Sequence, residues 1–98
     1  MSEFLTRATI APPAEVPESE IDARRVLESA RAAELAEAGI LLRMWRPPLL
    51  EGEWKNVGLW SAATESELHA ALDSLPMREW MTIDVTPLSP HPNDPALS

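Results

Sequence analysis

The chain contains no cysteine, which excludes disulfides, thiol nucleophiles and thiolate metal sites. It is also poor in positive charge. Eight basic residues face sixteen acidic ones, for a net charge of −8, and Lys55 is the only lysine. A surface of that sign repels phosphate backbones and anionic lipid, so neither a nucleic acid nor a membrane is an expected partner. No apolar run approaches the roughly 18 residues of a membrane span, and no basic-then-apolar leader opens the chain, so a cytoplasmic location is expected. There is no GxGxxG, no P-loop and no nucleophile elbow. His69 and His91 stand far apart with no shared motif, so neither a metal nor a cofactor is expected.

What is present is the material of one small domain. Of 98 residues, 45% are hydrophobic and 24% charged. A chain of this size buries only about 60–65% of its unfolded surface, which makes oligomerisation a reasonable expectation. Residues 3–10, EFLTRATI, alternate with Phe4, Thr6, Ala8 and Ile10 on one side, a strand pattern. The three prolines of APPAEVPESE break it. From Glu18 to Ala38 the composition turns to Ala, Glu, Arg and Leu, predicting a long helix that Gly39 stops. ILLRMWR (40–46) and WKNVGLWS (54–61) read as the second and third strands, joined through a hairpin around Gly52. TESELHAALDSL (64–75) opens with a capping-box pair, Thr64 and Glu67, and carries the Leu68, Ala71, Leu72, Leu75 stripe of a second helix. WMTIDVTPL (80–88) alternates as a fourth strand, placing Trp54 and Trp80 at strand starts where they could rim a pocket.

The predicted order β-α-β-β-α-β makes an α+β, ferredoxin-like domain over residues 1–88. A four-stranded antiparallel sheet carries both helices on one face. Residues 89–98 form a proline-rich tail, expected to be extended and non-helical, which could reach across a subunit contact and aim His91 at a neighbour's pocket. The uncovered sheet face carries Trp45 or Trp60, depending on register.

One residue interrupts the first helix. Ile21, Glu28, Ala32 and Leu35 fall on one stripe, seven-residue steps being close to two turns, so a carboxylate sits in a core-facing seam. Glu28 either pairs with Arg24, Arg25 or Arg31 as a surface residue, or projects into a partly apolar pocket between helix and sheet. There desolvation would lift its pKa towards the range of a general base. Such a carboxylate suits isomerisation, taking a proton from one carbon and returning it to another.

LESARAAELAEAG, the Trp45-Arg46 pair, ELHAALDSLP and the WMTIDVTPL…HP run together resemble the muconolactone isomerase family, over about Ile21 to Pro92. The resemblance implies dimers assembled into a decamer with pockets at subunit contacts. It implies a 1,3-proton shift converting muconolactone, a small anionic lactone, into 3-oxoadipate enol-lactone in aromatic catabolism, with the proton-shuttling glutamate at Glu28. Arg43 or Arg46, with Lys55 behind them, are candidates for the substrate carboxylate. Trp54, Asn56, Trp80 and His91 complete the expected substrate-binding set. The chain departs from the family pattern where Glu53 and Trp54 replace a His-Tyr pair, where the hairpin is about three residues longer, and where Trp80 and Thr82 replace a Tyr and an acid. Two other readings compete: a cofactor-free oxygenase or dehalogenase of the wider ferredoxin-like oligomer group, and a non-catalytic ligand-binding assembly protein.

Overall fold

A computed structural model describes residues 1–97. Four strands, β1 (Ser2–Ile10), β2 (Leu41–Trp45), β3 (Lys55–Ala62) and β4 (Met81–Leu88), alternate with helices α1 (Glu18–Glu37) and α2 (Glu65–Asp73) in the order β1-α1-β2-β3-α2-β4. The sheet order is β2-β3-β1-β4, with every neighbouring pair antiparallel. This is the ferredoxin-like arrangement, in which each helix carries the chain over one intervening strand.

Local chemistry fixes the boundaries. Gly39 adopts φ +77°, and Ile40 N–H reaches back to the Leu35 carbonyl at 2.9 Å, a Schellman ending that only a residue at ease in left-handed space permits. The Thr64 hydroxyl accepts from Glu67 N–H at 3.1 Å, and the Glu67 carboxylate accepts from Ala63 N–H at 3.2 Å, so the capping box forms with its return bond moved one residue upstream. Gly52, at φ +81°, turns the long hairpin.

Two expectations are corrected. Trp80 does not begin the fourth strand. It ends a 3₁₀ turn, Arg78–Trp80, in which its N–H bonds the Met77 carbonyl at 2.9 Å. The tail is not wholly extended either. Pro95–Leu97 form a short 3₁₀ turn, started by Asp94, whose carboxylate accepts from Ala96 N–H at 2.9 Å.

The register puts Phe4, Thr6, Ala8 and Ile10 towards the helices, opposite Trp60, Gly58 and Asn56 on β3 and Pro87, Val85, Ile83 and Met81 on β4. Trp60 therefore faces inward, 2% exposed, and its indole N–H donates to the buried Thr6 hydroxyl at 2.8 Å. Trp45 is the tryptophan on the open face, paired with Val57. Gly58 makes room for the inward ring, since a Cβ there would stand 2.6 Å from Trp60 Nε1 and 3.0 Å from Thr6 Oγ1. Gly58→Ala is expected to cost about 1–3 kcal/mol of stability by overpacking, measurable by urea unfolding.

The core is divided. One cluster holds Phe4, Leu35, Leu41, Trp60, Leu68, Leu72 and Leu75, and a second holds Ala8, Ile10, Met77 and Trp80. Met81 and Ile83 touch both. A small void of about 30 Å³ lies between them, bordered by Leu41, Trp60, Leu72 and Leu75 on one side, by Ala8 on the other, and by Glu28. The stripe on α1 carries a carboxylate because it runs over this seam.

Candidate active site

Glu28 lies midway along α1, partly buried. Its Oε1 accepts from the backbone N–H of Met77 at 2.9 Å, and among the described residues no other hydrogen bond or ion pair engages the carboxylate. None of the neighbouring arginines pairs with it. Arg24 donates to the Pro76 carbonyl at 2.7 Å, pairs with Glu79 at 2.6 Å and covers the Trp80 ring at 4.7 Å. Arg31 contacts Ser74 at 3.0 Å and Glu34 at 3.4 Å. Arg25 lies over the Trp54 ring at 4.2 Å. Glu28 is thus not a surface ion-pair residue, and its one structural bond anchors α1 to the connection between α2 and β4.

Burial raises the Glu28 pKa above its ordinary 4.5, and the Met77 N–H opposes the rise without cancelling it. The sign of the consequence follows from linkage. A carboxyl whose folded pKa is raised binds its proton more tightly in the folded state, so its ionisation destabilises the fold as pH climbs from 4.5 through the folded pKa. Gln keeps an acceptor for Met77 N–H and carries no charge to desolvate. Glu28→Gln is therefore expected to gain stability relative to the wild type as pH rises through that window, and to lose the advantage below it. Urea midpoints measured from pH 4 to 8 check this.

The carboxylate faces a cavity of about 230 Å³ whose lining includes Ile10, Arg25, Trp54, Asn56, Met77 and Met81. Drug-sized ligand pockets span roughly 300–1,000 Å³, so this chamber suits a small molecule. Outward it continues into an open vestibule of about 820 Å³, with which it shares Arg25, Trp54 and Asn56. Inward it continues into the void between the core clusters, sharing Glu28, Asn56 and Met81. Asn56 lines all three spaces from β3, opposite Ala8. Its side-chain amide has no protein partner among the described residues.

The vestibule gathers three of the eight basic residues, Arg25, Arg46 and Lys55. Lys55 is neutralised by Glu53 at 2.8 Å. That carboxylate also accepts from Leu50 N–H at 2.7 Å, and its pKa is held below the usual value, mainly by the Lys55 hydrogen bond. Arg25 and Arg46 have no carboxylate partner among the described residues.

Of the residues singled out in the sequence, Glu28, Trp54 and Asn56 meet at the chamber, and Arg46 lines the vestibule. The others lie apart. Arg43 pairs with Leu59 across a register shift and lies over Trp45 at 5.0 Å, on the sheet face without helices. Trp80 is 7% exposed in the second core cluster and borders none of these spaces. His91 accepts from Asn93 N–H at 3.0 Å and borders a separate depression with Met1, Ser2 and Glu3. Arg25 was not singled out as a binding residue, although its place three residues before Glu28 puts both on one helix face. Among the described residues no group of three or more His, Asp or Glu is placed to hold a metal ion, and no helix is long and apolar enough to cross a membrane.

Comparison with known proteins places the chain in a family. A family model described as muconolactone delta-isomerase matches residues 2–94. The chain belongs to that family. It is 31% identical over 90 residues to the muconolactone delta-isomerase of Cupriavidus pinatubonensis, covering 92% of this chain and 95% of that protein. It is 32% identical over 90 residues to muconolactone delta-isomerase 1 of Acinetobacter lwoffii, covering 92% and 91%. The fold superposes on a 3.3 Å crystal structure of muconolactone isomerase with a TM-score of 0.80, at 24% identity and over 93% and 92% of the two chains. The family's ferredoxin-like architecture is therefore the one the alternation of strands and helices implied.

Proposed function

We propose that this protein is a cofactor-independent isomerase moving a proton within a small unsaturated lactone acid, muconolactone giving 3-oxoadipate enol-lactone, with Glu28 as the single acid–base group. One observation carries the reading: a desolvated carboxylate with one oxygen anchored by Met77 N–H and the other free, facing a small chamber beside the unpartnered amide of Asn56. Loss of the hydrogen γ to the lactone carbonyl gives a conjugated dienolate, which makes that carbon acidic. Glu28 takes this proton, the C–H electron pair enters the ring system, and negative charge collects on the carbonyl oxygen. The protonated Glu28 then delivers a proton to the α carbon, completing the double-bond shift with no net change in atoms or electrons. Asn56 N–H donates to the oxygen where charge develops, the interaction that most lowers such a barrier. Two free arginines at the entrance suit an anionic substrate on an otherwise acidic protein.

The test is proton NMR of muconolactone with the purified protein in D₂O. Conversion to the enol-lactone is expected, with deuterium at the α carbon in the fraction of turnovers in which the protonated Glu28 exchanges with solvent before it delivers its proton. Oxygen uptake or halide release from other substrates, without any isomerisation, would transfer the chain to the competing enzyme class. Self-association belongs to the same reading. The helix-free sheet face presents Leu5, Trp45, Val57 and Leu59, an apolar surface that a second copy of the chain would cover. Sedimentation of the purified protein as dimers or a decamer is the expected result.

A further inference from the structure

We infer that Arg25, stacked on Trp54, is the residue that binds the substrate's carboxylate and so makes the chamber specific for lactone acids over neutral lactones. The inference rests on the isomerase reading and adds the cation that reading leaves open.

The chemistry of the substrate limits where its cation can stand. The carboxylate of muconolactone hangs by one methylene from the ring carbon that loses its proton. A cation that holds the carboxylate while Glu28 reaches that proton must lie beside Glu28, not at the cleft's outer edge. Arg43 is on the far side of the sheet, paired with Leu59 and lying over Trp45. Lys55 is held by Glu53 at 2.8 Å. Arg46 borders the vestibule but not the chamber. Arg25 borders both, three residues before Glu28 on the same helix, a spacing that puts the two Cβ atoms about 5–6 Å apart. It has no carboxylate partner among the described residues.

The Trp54 ring, 4.2 Å from the guanidinium carbon, supplies the second half of the device. A long arginine free in solvent loses much rotamer entropy when it closes on a ligand. Stacked on a ring that is itself part of the chamber wall, the guanidinium is already fixed in one plane. Its edge stays open for two parallel N–H···O bonds to a carboxylate. Trp54 is continuous with the sheet, because its carbonyl accepts from Ile10 N–H at 2.8 Å. Arg25 is therefore referenced to the same β1–β3 frame that carries Asn56.

Steady-state kinetics on muconolactone and on its neutral methyl ester test the assignment. For the acid, Arg25→Gln is expected to raise KM about tenfold to a hundredfold, the worth of a charge-assisted pair, with kcat within a few-fold of the wild type. Arg25→Lys, which keeps the charge but not the fork, is expected to recover part of the loss. For the ester, wild type and Arg25→Gln are expected to be equal. An unchanged KM for the acid overturns the assignment, and so does an equal loss on acid and ester, which would make Arg25 a support for Trp54 only. If the wild type isomerises neither compound, the isomerase reading fails by itself. The carboxylate site is then tested with the ring-saturated lactone acid, which has no double bond to move. A shift of the Arg25 Nε–H resonance on titration supports the site, and no shift overturns it.

Discussion

Replacing Glu28 with Gln is expected to leave the fold and assembly intact and to lower turnover by about 10²-fold or more. Gln retains the oxygen that Met77 N–H donates to at 2.9 Å, so α1 keeps its attachment to the segment before β4. Arg24 holds the same segment independently, through the Pro76 carbonyl and Glu79. What disappears is the second oxygen as a base. The amide can neither take the γ proton nor return one to the α carbon, and the described chamber holds no other carboxylate. The measurement is kcat for wild type and variant, with circular dichroism and sedimentation as controls on folding and assembly. Retained turnover would reduce Glu28 to its anchoring role.

The second large effect is expected at Asn56. Removing its amide by Asn56→Ala should lower kcat by about 10²–10³-fold, the usual cost of losing one donor aimed at a developing oxyanion. KM should change little, because the bond strengthens only as charge reaches the carbonyl oxygen. Position supports this division. Asn56 faces Ala8 across the ladder and borders the vestibule, the chamber and the inner void, and its amide spends nothing on the protein itself. A rise in KM at constant kcat would instead make Asn56 a ground-state binding residue.

The sequence made the frame legible where one residue type answers to one local rule. Phe4, Thr6, Ala8 and Ile10 alternate because a strand alternates, and Thr64 with Glu67 caps because a helix start leaves donors free. Glu28 was visible as a charge on an apolar stripe. Arg43 lies on the sheet face without helices for a specific reason. Between Leu41 and Arg43 the β2–β3 register shifts, and a one-residue slip sends every later side chain to the other face. Nothing in LLRMW announces that irregularity. Trp80 read as a strand residue because the 3₁₀ turn at Arg78–Trp80 is too short to leave a period. Arg25 read only as a possible partner for Glu28, because its place beside the chamber depends on Trp54, which lies 29 positions away and meets it only through the tertiary fold.

The divided core bears on how this protein can be improved. Ala8 and Ala32 border the inner void, and both are smaller than the neighbours around them. Enlarging either would fill space and, by the ordinary rules of packing, raise resistance to heat and to pressure. The same side chain would intrude on the floor beneath Glu28. Selection for a tougher protein and selection for a faster one therefore act on the same few cubic ångströms in opposite directions. A screen for thermal endurance alone should enrich variants that have closed the space beneath Glu28, the base proposed above.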